Sequence, residues 1–206
     1  MSKTLQNDRF YCPVCYRVES EVRDELMARI HQWETNAAVL QEMIGEGGFC
    51  SQHAAALLGI GSPVSVSAIA AGLTERFAER IGSENRVALA ENGCYLCLIL
   101  KQAAGSILTE IEEALNSTAF RDAYLESAGL CLPHLYELMA RVKRDDLRAF
   151  LIEATGLQLR RFAGLCRSYR EKRQHLRRDQ ITLDEKWAWL TAIEKLFGHE
   201  EAIRLP

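Results

Sequence analysis

Six of the seven cysteines in this 206-residue chain fall in one pattern that occurs twice. The first copy is Cys12-Pro-Val-Cys15, a gap of 34 residues, then Cys50-Ser-Gln-His53. The second is Cys94-Tyr-Leu-Cys97, a gap of 33 residues, then Cys131-Leu-Pro-His134. The copies are offset by 82 residues at the CxxC pairs and by 81 at the CxxH pairs. At the same offset, Gly48-Phe49-Cys50 matches Gly129-Leu130-Cys131, and Leu57-Leu58 matches Leu138-Met139. Such self-similarity at a long period indicates an internal repeat.

Each copy holds three cysteines and one histidine, the donor set of a structural zinc site. Two intervening residues let a tight turn aim both side chains at one ion. CxxC forms a knuckle, and CxxH at a helix start supplies the other two ligands. The positive end of that helix favours the thiolate form of its cysteine. The expected ligands are therefore Cys12, Cys15, Cys50 and His53 for one ion, and Cys94, Cys97, Cys131 and His134 for another. Closure within each copy is the expectation, because each ligand set is complete there. Exchange of partners across a pseudo-two-fold is the alternative. An iron–sulfur cluster is the alternative cofactor, although clusters usually take four cysteines. A thioredoxin-like role for Cys12-Pro-Val-Cys15 would need a βαβ setting, which this sequence lacks.

The segments between the motifs have helical periodicity. Val18, Val22, Leu26, Ile30 and Trp33 form one apolar stripe at steps of three and four, as do Leu100, Ala104, Ile107, Ile111 and Leu115. Thr35-Asn36 and Asn116-Ser117 then offer side chains that cap a new helix. Short helices follow over 37–44 and 118–127. Glycines end them, Gly45 with Gly47 and Gly48 in one copy and Gly129 in the other. The CxxH motifs open helices from 51 and from 132, where Pro133 suits the first turn. Gly59–Pro63 reads as a loop, 64–81 as a helix, and 82–92 as a link. Helices over 134–143, 145–178 and 183–197 complete the pattern, with no convincing strand. The chain is therefore expected to be all-α, with two tandem helical repeats each pinned by a Cys3His site. The expected division is 1–90, 91–178, and a C-terminal helix within 179–206 that packs on the repeats.

Composition narrows the function classes. Hydrophobic residues make up 48% and charged residues 26%, which excludes a disordered or fibrous chain. Apolar runs such as 94–100 are too short to span a bilayer, and the N-terminus lacks an apolar signal core. The expectation is a cytoplasmic protein without membrane insertion. An odd cysteine count there argues for metal binding over disulfides. Cys166 lies outside the motif and reads as a small buried hydrophobe.

Residues 160–178 concentrate charge: Arg160, Arg161, Arg167, Arg170, Lys172, Arg173, Arg177 and Arg178 against Glu171 alone, in a chain of net charge −3. Arg160, Arg167 and Arg178 project opposite the apolar stripe and are the candidate partner-binding residues. An acidic protein surface is the expected partner, with nucleic acid as the alternative. His31, His175 and His199 have no partner at ligand spacing. There is no Glu-x-x-His, no GxxxxGK[ST], no GxGxxG and no GxSxG. Both metal sets are full, whereas catalytic zinc keeps an open position.

CPVC, GGFCSQH, CYLC and GLCLPH together resemble a bacterial family of small, cysteine-rich helical proteins with no assigned activity. The resemblance covers roughly residues 10–140. It implies paired metal sites and leaves purpose open. The reading reached from the sequence is a non-catalytic, zinc-stabilised scaffold, accessory subunit or adaptor that binds another protein. An iron–sulfur protein in a redox complex and a nucleic-acid-binding regulator are the alternatives.

Overall fold

The computed structural model describes residues 10–45, 48–84, 94–175 and 180–198. Among them are nine helices and no strand. They are α1 (Pro13–Thr35), α2 (Ala37–Gly45), α3 (Ser51–Ile60), α4 (Pro63–Glu84), α5 (Tyr95–Ala114), α6 (Thr118–Glu126), α7 (Leu132–Arg141), α8 (Asp145–Gln174) and α9 (Leu183–Phe197). Of the expected link over 82–92, residues 82–84 belong to α4 and the rest lies outside the described residues. Gly47, Leu176, Arg177, Arg178 and His199 also lie outside them, as does the side chain of Val22.

The helices begin where polar side chains can satisfy free amides. Asn36 Oδ1 accepts from the amides of Ala38 and Val39 ahead of α2. Ser117 Oγ accepts from Phe120 N at the start of α6. Thr182 and Glu185 form a reciprocal capping box at α9. The expected glycine stops are present in a particular form. Gly48 and Gly129, each two residues before a CxxH, have φ of +75° and +67°. That left-handed backbone turns the chain into the extended cysteine that opens the next helix.

The chain divides into two compact units, one comprising 1–17 with 104–206, the other 18–103. The boundaries fall inside α1 and α5. In the 18–103 unit, Leu26, Ile30 and Trp33 from α1 pack with Met43, Ile44, Leu57, Ile69, Cys94 and Leu96. The Trp33 and Phe49 rings meet edge to face at 5.7 Å. In the other unit, Ile107, Ile111 and Leu115 of the second stripe are buried, together with Tyr124, Leu130, Leu138 and Leu151. Cys166, expected to be buried, is half-buried and packs against Ala128, Phe162 and Ala188.

Helix α9 inverts the usual pattern. It turns Glu185, Ala188, Thr191, Glu194 and Lys195 inward. Leu183, Trp187, Trp189, Ile193, Leu196 and Phe197 face outward, with Leu183 62% and Trp189 52% exposed. The inward Glu185 and Lys195 have partners in the same unit. Glu185 pairs with Lys172 of α8 at 2.7 Å and accepts from Ser168. These contacts, with the capping box, hold its carboxyl at about 2.

Candidate metal centres

All four ligand pairs have the same local structure. Cys12, Cys50, Cys94 and Cys131 each stand just before a helix, and their carbonyls accept from the amides of Tyr16, Ala54, Leu98 and Leu135. The second ligand of each pair sits three residues on, in the first helical turn. Residues three apart share a helix face, so both side chains of a pair point the same way. The CxxC knuckles open α1 and α5 just as the CxxH motifs open α3 and α7. Pro13 occupies a first-turn position, where its missing N–H costs no helical bond. Val14 and Leu96, the matching second residues, are fully buried and anchor the turns.

The eight donors gather in two groups, Cys12, Cys15, Cys131 and His134, and Cys50, His53, Cys94 and Cys97. Each group draws its CxxC from one sequence copy and its CxxH from the other. Closure within a copy, the expected pairing, is therefore corrected. The reason lies in the chain path. The donors at 50–53 and at 94–97 belong to the 18–103 unit, and the flanking segments 1–17 and 104–206 fold together and carry the other four. The two centres are thus nested along the sequence.

The spacing within each group suits one ion. In the first centre, Cys15 Sγ is 3.7 Å from Cys131 Sγ, and His134 Nδ1 lies 3.6, 3.4 and 3.1 Å from the sulfurs of Cys12, Cys15 and Cys131. In the second, Cys50 and Cys97 sulfurs are 3.9 Å apart, and His53 Nδ1 lies 3.3, 3.2 and 3.4 Å from Cys50, Cys94 and Cys97. Tetrahedral zinc, with bonds of ~2.3 Å to sulfur and ~2.0–2.1 Å to nitrogen, sets edges of about 3.8 Å between sulfurs and about 3.6 Å between sulfur and nitrogen. The two sulfur–sulfur distances lie close to that edge and the nitrogen–sulfur distances at or somewhat below theirs, and within each centre all donors lie within 4.8 Å of one another.

The electrostatics of the first centre fit a cation in its middle. Burial opposes ionisation of Cys12, yet Cys131, Cys15 and His134 outweigh it and hold the Cys12 thiol well below its ordinary value. The hydrogen bonds of Cys12 and Cys131, reinforced by burial, push Cys15 up. Burial favours neutral His134, but the sulfurs of Cys12 and Cys131 overcome it and raise the imidazole to about 10. Without a metal, the donors can form one thiolate–imidazolium pair and must keep another thiol protonated. A divalent ion lets all three sulfurs ionise. Two helix N-termini supply further positive potential at each centre.

The two centres differ in exposure. Each has two buried donors, Cys12 and Cys131 in the first and His53 and Cys94 in the second, and Cys15, His134 and Cys50 are half-buried, but Cys97 of the second reaches the surface. What desolvation remains at Cys97, with the sulfurs of Cys94 and Cys50, pushes its thiol up to about 12.

The turn that presents Cys131 is held by side chains that the motif does not reveal. Tyr124 Oη accepts from Leu130 N, and Gln158 Nε2 donates to Tyr124 O. Arg161 donates to the carbonyls of Glu126 and Ser127. Lys195 donates to those of Ala128 and Leu130. The paired glycines before the CxxH motifs were the only sequence signal for this turn.

Of the candidate partner-binding residues, Arg160 and Arg167 are exposed on α8, and Arg178 lies outside the described residues. Two other cations of this stretch are engaged within the unit. Arg161 bonds the 126–127 carbonyls, and Lys172 pairs with Glu185. Among the described residues, no helix is long and apolar enough to cross a membrane.

No protein-family model, curated protein or solved structure matches this chain.

Proposed function

We propose that this protein is a non-catalytic scaffold, pinned by two zinc ions, that docks another protein. The observation that carries the reading is the closure of each centre: four protein donors, three sulfurs and one imidazole, within 4.8 Å of one another. A filled Cys3His set leaves no position for a substrate or an activated water, unlike catalytic zinc. The single-ion spacing also favours zinc over a cluster, whose several irons would hold the ligand sulfurs farther apart. The family resemblance, with its paired metal motifs, agrees with this reading.

The docking part of the proposal rests on α9, whose outward side chains are largely apolar. Exposed apolar patches of this kind mark interaction sites on soluble proteins. Arg160 and Arg167 add a separate cationic face on α8 that suits acidic residues of the partner. The partner is thus a protein with an apolar contact face and acidic residues nearby. Exposed ion pairs are individually worth only ~0–1 kcal/mol, so the apolar face supplies most of the affinity.

Elemental analysis of anaerobically purified protein tests the first part, with two zinc ions per chain and a colourless solution expected. Brown, iron-containing protein, or fewer than two metals, would overturn it. A nuclease-treated pull-down tests the second part. Binding should survive nuclease and fail in Trp189→Glu/Ile193→Glu. Loss on nuclease treatment, with direct binding to bare RNA or DNA through Arg160 and Arg167, would favour the nucleic-acid regulator instead.

A further inference from the structure

A buried lysine stands beside the first centre, and among the described residues no carboxylate pairs with it. Lys195 is 3% exposed. Its ammonium donates to Ala128 O at 2.5 Å, Leu130 O at 3.0 Å and Gln158 Oε1 at 3.0 Å. All three acceptors are neutral. A buried charge in apolar surroundings is strongly disfavoured unless an opposite charge lies close by. Arg161 sharpens the need, because it brings a second cation to the same turn through Glu126 O and Ser127 O.

The negative charge that acts on Lys195 comes from the sulfurs of Cys12 and Cys131. Burial pushes the amine down to about 8, Arg161 pushes the same way, and the sulfurs of Cys12 and Cys131 oppose both. A divalent metal bound by three thiolates and a neutral imidazole carries one net negative charge. One lysine balances it. Helix α9 also ends at the centre: Gly198, its C-cap, lies where an added methyl would reach to 4.0 Å from Cys131 Sγ. The negative end of that helix disfavours thiolates, and Lys195 in its last turn offsets the effect.

We propose that Lys195 is the buried counter-charge of the Cys12/Cys15/Cys131/His134 metal centre, a positioning residue that sets how tightly this centre holds its ion. The inference rests on the reading that the centre binds a metal. It explains why α9 carries a charged side chain on its inward face beside Cys131. It also makes the two centres unequal, one charge-balanced by Lys195, the other reaching the surface at Cys97.

Chelator titration of the zinc-loaded full chain tests it, with metal stoichiometry read first. Native protein should release zinc in two steps. In Lys195→Met one step should move to roughly 10–100-fold weaker binding, the size of other outer-shell effects. The other step should stay where it is. Lys195→Gln keeps a hydrogen-bond donor for the turn but removes the charge, and should be weakened as well. Lys195→Arg should restore much of the loss. Release on acidification should begin at higher pH in the methionine and glutamine variants, since thiols without a nearby cation hold their protons more tightly. A merely structural role would weaken binding evenly across pH. Should Lys195→Met fail to keep native helicity, the glutamine variant decides. Native affinity and native pH profile in Lys195→Gln would overturn the proposal, as would equal weakening at both centres. Absence of metal from the native chain would instead overturn the reading beneath it.

Discussion

Gly129 shows how much one residue decides at the first centre. Its φ of +67° is a backbone that L side chains rarely adopt. A methyl group there would lie 2.2 Å from Gln158 Oε1. Gln158 is itself buried and engaged, with Tyr124 O on one side and Lys195 on the other. Gly129→Ala therefore combines backbone strain with a clash against a side chain that cannot move freely. The expected cost is about 2–4 kcal/mol, read from urea unfolding, with zinc falling toward one ion per chain. Gly164→Ala is the control, because nothing lies within 4 Å of the added methyl. It should be neutral or slightly stabilising, as alanine is the better helix former.

At the scale of the element, α9 makes the clearest claims. Its docking depends on ionised Glu185, held at about 2 by Lys172, Ser168 and the Thr182 amide. A carboxyl lowered in the folded state contributes stability above its ordinary value near 4.5 that is lost as pH falls toward about 2. Glu185→Gln should thus be less stable than native at neutral pH. The gap should narrow on acidification through that window, which urea denaturation at several pH values would follow. Thr182→Ala should cost about 1 kcal/mol through loss of the capping box. Trp189→Glu, on the outward face, should leave the melting temperature almost unchanged, because the side chain is 52% exposed and holds no core position. A large loss of stability in that variant would place α9's apolar face inside the fold.

The pairing of the ligands belongs to the whole molecule. Under nested pairing, Cys12→Ser/His134→Ala disables one centre and leaves about one zinc per chain. Cys12→Ser/Cys50→Ser touches both centres and leaves none. Pairing within each sequence copy would reverse the two results, so metal content alone separates them. The energetics make such losses severe. A structural zinc contributes roughly 10–16 kcal/mol in small peptides, while a whole domain is stable by only ~5–15 kcal/mol. Stripping both ions from the native protein with a chelator should accordingly reduce helicity and abolish cooperative melting, as followed by circular dichroism.

Much of this was already present in the order of the amino acids, because it is local. The helices follow from periodic apolar side chains and from caps such as Asn36 and Ser117, whose partners lie within three residues. The eight donors follow from spacing, since a cysteine and its companion three residues on share one helix face. The inward lysine and the ligand pairing are different in kind. Lys195 sits in a helix whose outward side chains are largely apolar, and only packing against the 128–130 turn and Gln158 turned it inward. The four ligand pairs are chemically interchangeable, two CxxC and two CxxH, so either pairing yields a complete Cys3His set. Local sequence cannot choose between equivalent partners. The choice was made by contacts far apart in the chain, where 1–17 folds with 104–206 and 18–103 closes upon itself.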